Sequence, residues 1–129
     1  MDLTQFEHQY DQLAGDVPAM KRAIANKLMY QVGKDPATAR PEDWLQATAY
    51  AVRDHLVGRW MKTTRAQYAQ DVKRVYYLSM EFLIGRTLGN ALDALNLTPA
   101  ARAALGAHAA TLEDVAAEES DAGLGNGGL

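Results

Sequence analysis

The chain has 129 residues, 48% of them hydrophobic, which is typical of a globular protein and excludes a disordered polypeptide. Its net charge of −3 predicts no general affinity for nucleic acid or an anionic membrane, so any anion site must be local. Cysteine is absent, the three histidines are too far apart in sequence to suggest a metal site, and no stretch approaches the roughly 20 apolar residues that span a bilayer. The first residues lack a secretory signal pattern, so we expect a cytoplasmic protein.

Two helices are predicted in the first half of the chain. Asp16 and Pro18 supply a cap and a first turn for a helix that ends near Gly33. A longer helix is predicted from residues 40–41 to about Tyr68. Apolar residues recur along it at steps of three or four, which predicts a core-facing stripe formed by Leu45, Ala49, Val52, Leu56 and Trp60.

The periodicity changes at residues 73–80, where β-branched and aromatic residues predict a short strand, centred on residues 75–80. It is the only clear strand in the sequence. A single strand cannot satisfy its own backbone N–H and C=O groups, so its partners are expected elsewhere. Further helices are predicted after it, with apolar positions at Leu88, Leu92 and Leu95 and with capped starts at Thr98 and Thr111.

Two features near these elements are candidates for chemistry. Glu81 directly follows the predicted strand, at the position where α/β proteins collect ligands, and could act as a general base. Alternatively, it pairs with Arg86 or caps the next helix. The glycine-rich end of the chain can form a nest of backbone N–H groups that receives an anion; alternatively, it is a helix cap or a linker. Its last four residues are Asn126, Gly127, Gly128 and Leu129.

A third candidate is a basic surface on the long helix, where cations recur at steps of three beside aromatic residues. It could receive a phosphate or a nucleotide. The sequence offers no accompanying glycine or serine loop of the kind that dedicated nucleotide sites use, so a solvated surface is the alternative. The residues of this basic surface are Arg59, Trp60, Lys62, Arg65 and Tyr68.

Three segments resemble motifs of the α-glucan phosphorylases (glycogen, starch and maltodextrin phosphorylase) and occur in the same order. They are VRDHLVGRW at residues 52–60, VYYLSMEFLIGRTL at residues 75–88 and DAGLGNGGL at residues 121–129. The resemblance is to bacterial members and covers residues from about 20 to 129. It implies the glycosyltransferase-B architecture, with two Rossmann-like α/β domains. Residues 1–129 would then be an incomplete N-terminal portion of the first domain, mostly helical with one clear strand.

The resemblance also implies a reaction. Orthophosphate would remove the terminal glucose of an α-1,4-glucan as α-glucose 1-phosphate, with retention of configuration. Pyridoxal 5'-phosphate would be the cofactor, its phosphate exchanging the proton and its attachment lysine lying outside residues 1–129. Backbone amides of Asn126, Gly127, Gly128 and Leu129 would face the substrate phosphate and the glucosyl unit, with Glu81 nearby in a supporting role. The complete enzyme would be a cytoplasmic homodimer with no metal, nucleic-acid or membrane partner.

Two departures from animal members limit what is carried over. Thr64 and Arg65 stand where those members have a Gln-Gln pair in their AMP-binding segment, so AMP activation is not expected. Leu83 stands where they have a tyrosine near the cofactor. By itself the chain is expected to bind no pyridoxal phosphate and to be inactive. A hypothesis from another class is a stand-alone helical interaction or regulatory module, which would bind a partner through the face around Trp60 or through the exposed strand.

Overall fold

The computed structural model describes residues 15–108 and 110–125. This part of the chain is mostly helical, as predicted, and carries one small antiparallel sheet. Helix α1 continues directly into a π-helical segment, and the remaining elements follow in chain order. The elements are α1 (Val17–Lys27), the π-helical segment (Leu28–Val32), α2 (Pro41–Ala69), β1 (Phe82–Gly85), α3 (Leu88–Ala94), α4 (Thr98–Gly106), α5 (Leu112–Ala117) and β2 (Ala122–Leu124).

Local capping confirms the predicted helix boundaries at Asp16, Gly33 and Thr111. The capped start predicted at Thr98 is wrong, because Leu97 occupies the N-cap position without a side-chain hydrogen bond and Thr98 is already the first residue of α4. Asp16 caps α1, its carboxylate accepting a hydrogen bond of 2.7 Å from the amide of Ala19. Gly33 has φ 76° and ends the helical stretch, a backbone conformation that glycine adopts without strain. Thr111 caps α5 by accepting from the amide of Asp114 at 3.0 Å. Asp16 and Thr111 therefore set where their helices begin, and Gly33 sets where the first helical stretch ends.

The core lies where α1 packs against α2 and α4. Met20, Ile24 and Leu28 recur at steps of four and are fully buried, so one face of α1 and of the π-helical segment is removed from water. The three predicted apolar positions around α3 are also buried. Small and medium-sized side chains complete the core, among them Ala47, Ala51, Leu88, Leu92, Leu95, Ala101, Ala104, Leu105 and Val115.

The predicted core stripe of α2 is confirmed only in part. Val52 is buried and Leu45 packs partly buried against the core. Ala49 is exposed, Leu56 is 42% exposed and Trp60 is 66% exposed. The helix instead buries a neighbouring face that contains Trp44, Ala47, Thr48 and Ala51. The reason is that α1 and the π-helical segment cover this face, whereas the other face is left partly open beside α3. The predicted stripe was Leu45, Ala49, Val52, Leu56 and Trp60.

The predicted strand at residues 75–80 is also wrong in position. Residues 72–79 have no regular secondary structure, and the strand begins at Phe82. The side chains of Val75 and Leu78 are 92% and 91% exposed. Residues 75–80 lack a ladder partner among the described residues, whereas β1 finds one in β2. Pairing, and not β-propensity, therefore decides which part of this apolar run becomes a strand.

One ionisable ring borders the core. His108 stacks on Trp44, with ring centroids 4.9 Å apart and an interplanar angle of 25°. Its Nε2 is buried without a hydrogen-bond partner in the described part of the chain. Burial lowers the pKa of His108 below its ordinary value of 6.5, and the charge of Lys21 lowers it further. The neutral ring is therefore the form that the folded structure favours.

No helix of the described residues has the length and apolar character that crossing a bilayer requires.

Leu28 tests how much the buried face contributes to stability. Leu28→Ala should lower the free energy of unfolding by about 2 to 5 kcal/mol, because it removes buried methyl groups and leaves a cavity. Met29, its neighbour, is 47% exposed, so Met29→Ala should cost less than about 1 kcal/mol. Urea unfolding followed by helical circular dichroism measures both. Equal losses for the two variants would contradict the assignment of the core.

His108 should make stability depend on pH. Its pKa is lower in the folded than in the unfolded chain, so the unfolded chain binds more protons between the two values. The stabilisation is present above the unfolded pKa of 6.5 and is lost as the pH falls below it. His108→Phe, which retains a ring against Trp44, should reduce the dependence of unfolding free energy on pH below pH 6.5. The pKa of His55 is lowered as well, mainly by burial, so a residual dependence should persist.

Candidate functional site

The small sheet joins two segments that are about forty residues apart. β1 and β2 are antiparallel, with Phe82 opposite Leu124 and Leu83 opposite Gly123. The register then shifts by a bulge, so that Gly85 faces Ala122. The segment around Glu81 is thereby placed beside the start of the glycine-rich end of the chain.

Gly125 lies very close to the segment around Glu81. Its φ is 113°, which L side chains rarely adopt, and a Cβ built on it would stand 2.5 Å from the carbonyl oxygen of Met80. The same Cβ would be 2.8 Å from Cα of Glu81. Only glycine fits this position, because both the backbone conformation and the space exclude a side chain. The glycine-rich segment therefore begins in direct contact with Glu81.

Glu81 is half-buried and sits just after a tight local turn. The hydroxyl of Ser79 donates to the carbonyl oxygen of Glu81 at 2.6 Å, and the amide of Glu81 donates to the same hydroxyl oxygen at 3.1 Å. Among the described residues, no ion pair joins Glu81 to Arg86. Glu81 does not cap α3 either. The two alternatives to a role in chemistry are therefore absent from this part of the structure.

The cap of α3 is a residue that the sequence analysis missed. Oε1 of Glu119 accepts hydrogen bonds from the amides of Thr87 at 2.7 Å and Leu88 at 3.1 Å, and Oε2 accepts from Leu88 at 3.2 Å. The side chain of Thr87 makes no capping hydrogen bond of its own. A carboxylate at a helix N-terminus satisfies free N–H groups and interacts favourably with the helix dipole. No local pattern signals this contact, since the partners are 31 and 32 residues apart.

The proposed anion-binding residues Asn126, Gly127, Gly128 and Leu129 lie outside the described residues. Their position in the chain is nevertheless informative, because β2 and Gly125 lead directly into them.

The basic surface lies on the second half of α2 and is exposed. Arg59 donates from Nη1 to the carbonyl oxygen of Ala94 at 3.4 Å, which connects α2 to the end of α3.

The guanidinium of Arg74 stacks 3.8 Å above the ring of Tyr68, and its hydrogen bond to the phenol lowers the pKa of Tyr68. Lys62 and Arg65 each have an interaction partner. Trp60 is largely exposed, so these residues form an aromatic and cationic surface. This surface lies on and just after α2, whereas Glu81 lies next to β1.

The described residues provide neither a metal site nor a cofactor lysine. No group of three histidine or acidic side chains within them could hold a metal ion. Their lysines lie at or near the surface, and the most buried, Lys27, pairs with Asp54 at 3.0 Å. A lysine that forms an imine with pyridoxal phosphate needs a shielded, unpaired amine. The described residues do not fit that cofactor.

No protein-family model matches the chain. It is 46% identical, over all of its 129 residues, to a glycogen phosphorylase of Haemophilus influenzae, and covers 16% of that protein. It is 49% identical over 113 residues to the glycogen phosphorylase of Pasteurella multocida, covering 88% of the chain and 14% of the relative. The human brain form is 45% identical over 115 residues, covering 89% of the chain and 14% of the relative. Over this segment the chain is a homologue of the glycogen phosphorylases.

This relationship confirms the resemblance drawn from the three motifs. The chain spans only 14% to 16% of the length of these curated relatives, so the relationship concerns a small part of each of them. The alignment with the Haemophilus influenzae relative spans the segments that contain Glu81, Gly125 and the basic surface.

Gly125 offers a test of the contact between the two segments. Gly125→Ala should open the sheet, because the new Cβ would overlap the carbonyl oxygen of Met80 and strain the backbone. Gly123→Ala is the matched control on β2, since its Cβ would meet only Cδ2 of Leu83 at 3.9 Å. Amide hydrogen exchange of β1 and β2 should become faster by about tenfold or more in the first variant and change little in the second. Equal protection in both variants would show that the close approach is unimportant.

Proposed function

We propose that the chain forms part of an α-glucan phosphorylase, which uses orthophosphate to release α-glucose 1-phosphate from an α-1,4-glucan with retention of configuration. The observation that carries the proposal is the 46% identity along the whole chain to a protein named glycogen phosphorylase. The contact between Gly125 and Glu81 supports it, because this contact brings the two motifs nearest to the proposed chemistry into one place.

Within this function, Asn126, Gly127, Gly128 and Leu129 contribute backbone amides toward the substrate phosphate and the glucosyl unit. Preorganised N–H groups stabilise developing negative charge because they need no reorientation during the reaction. Glu81 acts in a supporting role beside this loop. Its placement is determined by β1 and by the turn at Ser79, both of which precede the loop by some forty residues.

Pyridoxal 5'-phosphate, when bound, supplies the phosphate group that donates and accepts the proton. Because the described residues do not fit it, we assign its attachment to parts of the complete enzyme beyond residues 1–129. The protein is proposed to act in the cytoplasm as a homodimer on glucan and orthophosphate. The chain by itself is then inactive, because it does not bind the pyridoxal 5'-phosphate whose phosphate donates and accepts the proton.

A chimeric enzyme tests the proposal directly. Residues 1–129 replace the homologous segment of the Haemophilus influenzae relative, and release of glucose 1-phosphate from glycogen and orthophosphate is measured. Activity within about tenfold of the unsubstituted relative is the expected result, since near-native positioning of the loop is what the reaction requires. A folded chimera that binds pyridoxal phosphate but releases no glucose 1-phosphate would contradict the proposal and favour the helical interaction module.

In the same chimera, Gly128→Ala should lower kcat by about 100-fold or more, as loss of an oxyanion-type donor typically does. The added Cβ would crowd the ligand and restrict the backbone. Gly89→Ala is the control, because its Cβ would meet no atom within 4 Å. If both variants retained the activity of the parent chimera, Gly128 would be a linker residue without a part in the reaction.

A further inference from the structure

The sheet that places Glu81 is too small to fix its own register. It contains three residue pairs interrupted by a bulge, and Phe82, Leu83 and Ile84 on β1 and Ala122 on β2 are exposed. A two-stranded ladder of this size is marginal in water, and a slip of one residue would turn every side chain to the opposite face. Some contact outside the ladder must therefore hold β1 and β2 in register.

Glu119 lies where such a contact would act. Thr87 follows the end of β1 by two residues, and Glu119 precedes the start of β2 by three. Its hydrogen bonds to the amides of Thr87 and Leu88 therefore close the end of the sheet at which Gly85 faces Ala122. Gly125 packs against Glu81 at the other end. The two-stranded sheet is thus held at both ends, by the carboxylate of Glu119 at one end and by the contact between Gly125 and Glu81 at the other.

The carboxylate is matched to this position. Both of its oxygens accept from the amide of Leu88, and Oε1 also accepts from the amide and, at 3.4 Å, from the hydroxyl of Thr87. The first turn of α3 contains no acidic residue of its own. An amide side chain would lose the negative charge and would turn one donor toward N–H groups that need an acceptor.

We propose that Glu119 is a positioning residue, whose carboxylate holds β1 and β2 in register and thereby keeps Glu81 against Gly125 at the start of the glycine loop. Its effect on turnover rests on the proposed phosphorylase function. Its effect on the sheet does not, so the two can be tested separately.

The first experiment measures amide hydrogen exchange in the chain itself. Glu119→Gln should make the amides of β1 and β2 exchange about tenfold faster or more, together with those of Thr87 and Leu88. Glu118→Gln is the matched control, since Glu118 is the adjacent, exposed glutamate at the end of α5. Faster exchange confined to α3, with β1 and β2 unchanged, would reduce Glu119 to a helix cap and overturn the proposal.

The second experiment measures kinetics in the chimera. Glu119→Gln should lower kcat by about tenfold, because a smaller fraction of the enzyme molecules would hold the glycine loop and Glu81 in the productive arrangement. Gly89→Ala is then added to strengthen α3, where alanine is the better helix former and its Cβ meets nothing. We expect this double variant to recover thermal stability but not kcat.

If the double variant recovered both thermal stability and kcat, only the stability of α3 would matter, and the proposal would be overturned. An inactive parent chimera would contradict the proposed function instead, and the exchange experiment would still decide whether Glu119 holds the sheet.

Discussion

Burial of one face of α1 between α2 and α4 is the interaction on which the rest of the described structure depends. Met20, Ile24 and Leu28 are removed from water there, and α3 and α5 pack around the same core. The bundle thereby fixes the start of α3 and the end of α5. Those are the two points that the carboxylate of Glu119 connects. The sheet follows from this connection, because it is too short to form as an isolated ladder.

Local patterns predicted the helices well and the strands poorly. Asp16, Gly33 and Thr111 mark helix boundaries because a cap is satisfied within a few residues, so the signal lies in the sequence itself. A strand needs a partner from elsewhere in the chain. Residues 75–80 have high β-propensity but no ladder among the described residues, whereas Ala122–Leu124, which contains a glycine, is paired. Propensity alone could not have ranked these two segments correctly.

The face of α2 shows a related limit. Several apolar positions fit a helical stripe, and periodicity cannot decide between two overlapping stripes that share Val52. The choice is made by α1 and the π-helical segment, which cover Trp44, Ala47 and Ala51.

In the candidate site, the glycine motif and Glu81 could be recognised in the sequence from their residue types alone. Glu119 could not, because its partners are 31 and 32 residues away and the contact exists only once both helices are folded.

Under the proposed function, electrostatics constrain what Glu81 can do beside the glycine-rich segment. Two negative charges 4 Å apart repel by about 1 kcal/mol in water and by about 4 kcal/mol at the effective dielectric near a protein surface. The described residues form no ion pair with Glu81 that would offset this repulsion. An ionised Glu81 is therefore a poor direct ligand for a phosphate. Under the proposed function, Glu81 is therefore assigned to accepting a proton or orienting neighbouring groups, and phosphate binding is assigned to backbone N–H groups. The register of the sheet bears on this proposal because Glu81 directly precedes β1, and a shift of one residue along β1 would displace Glu81 from its contact with Gly125.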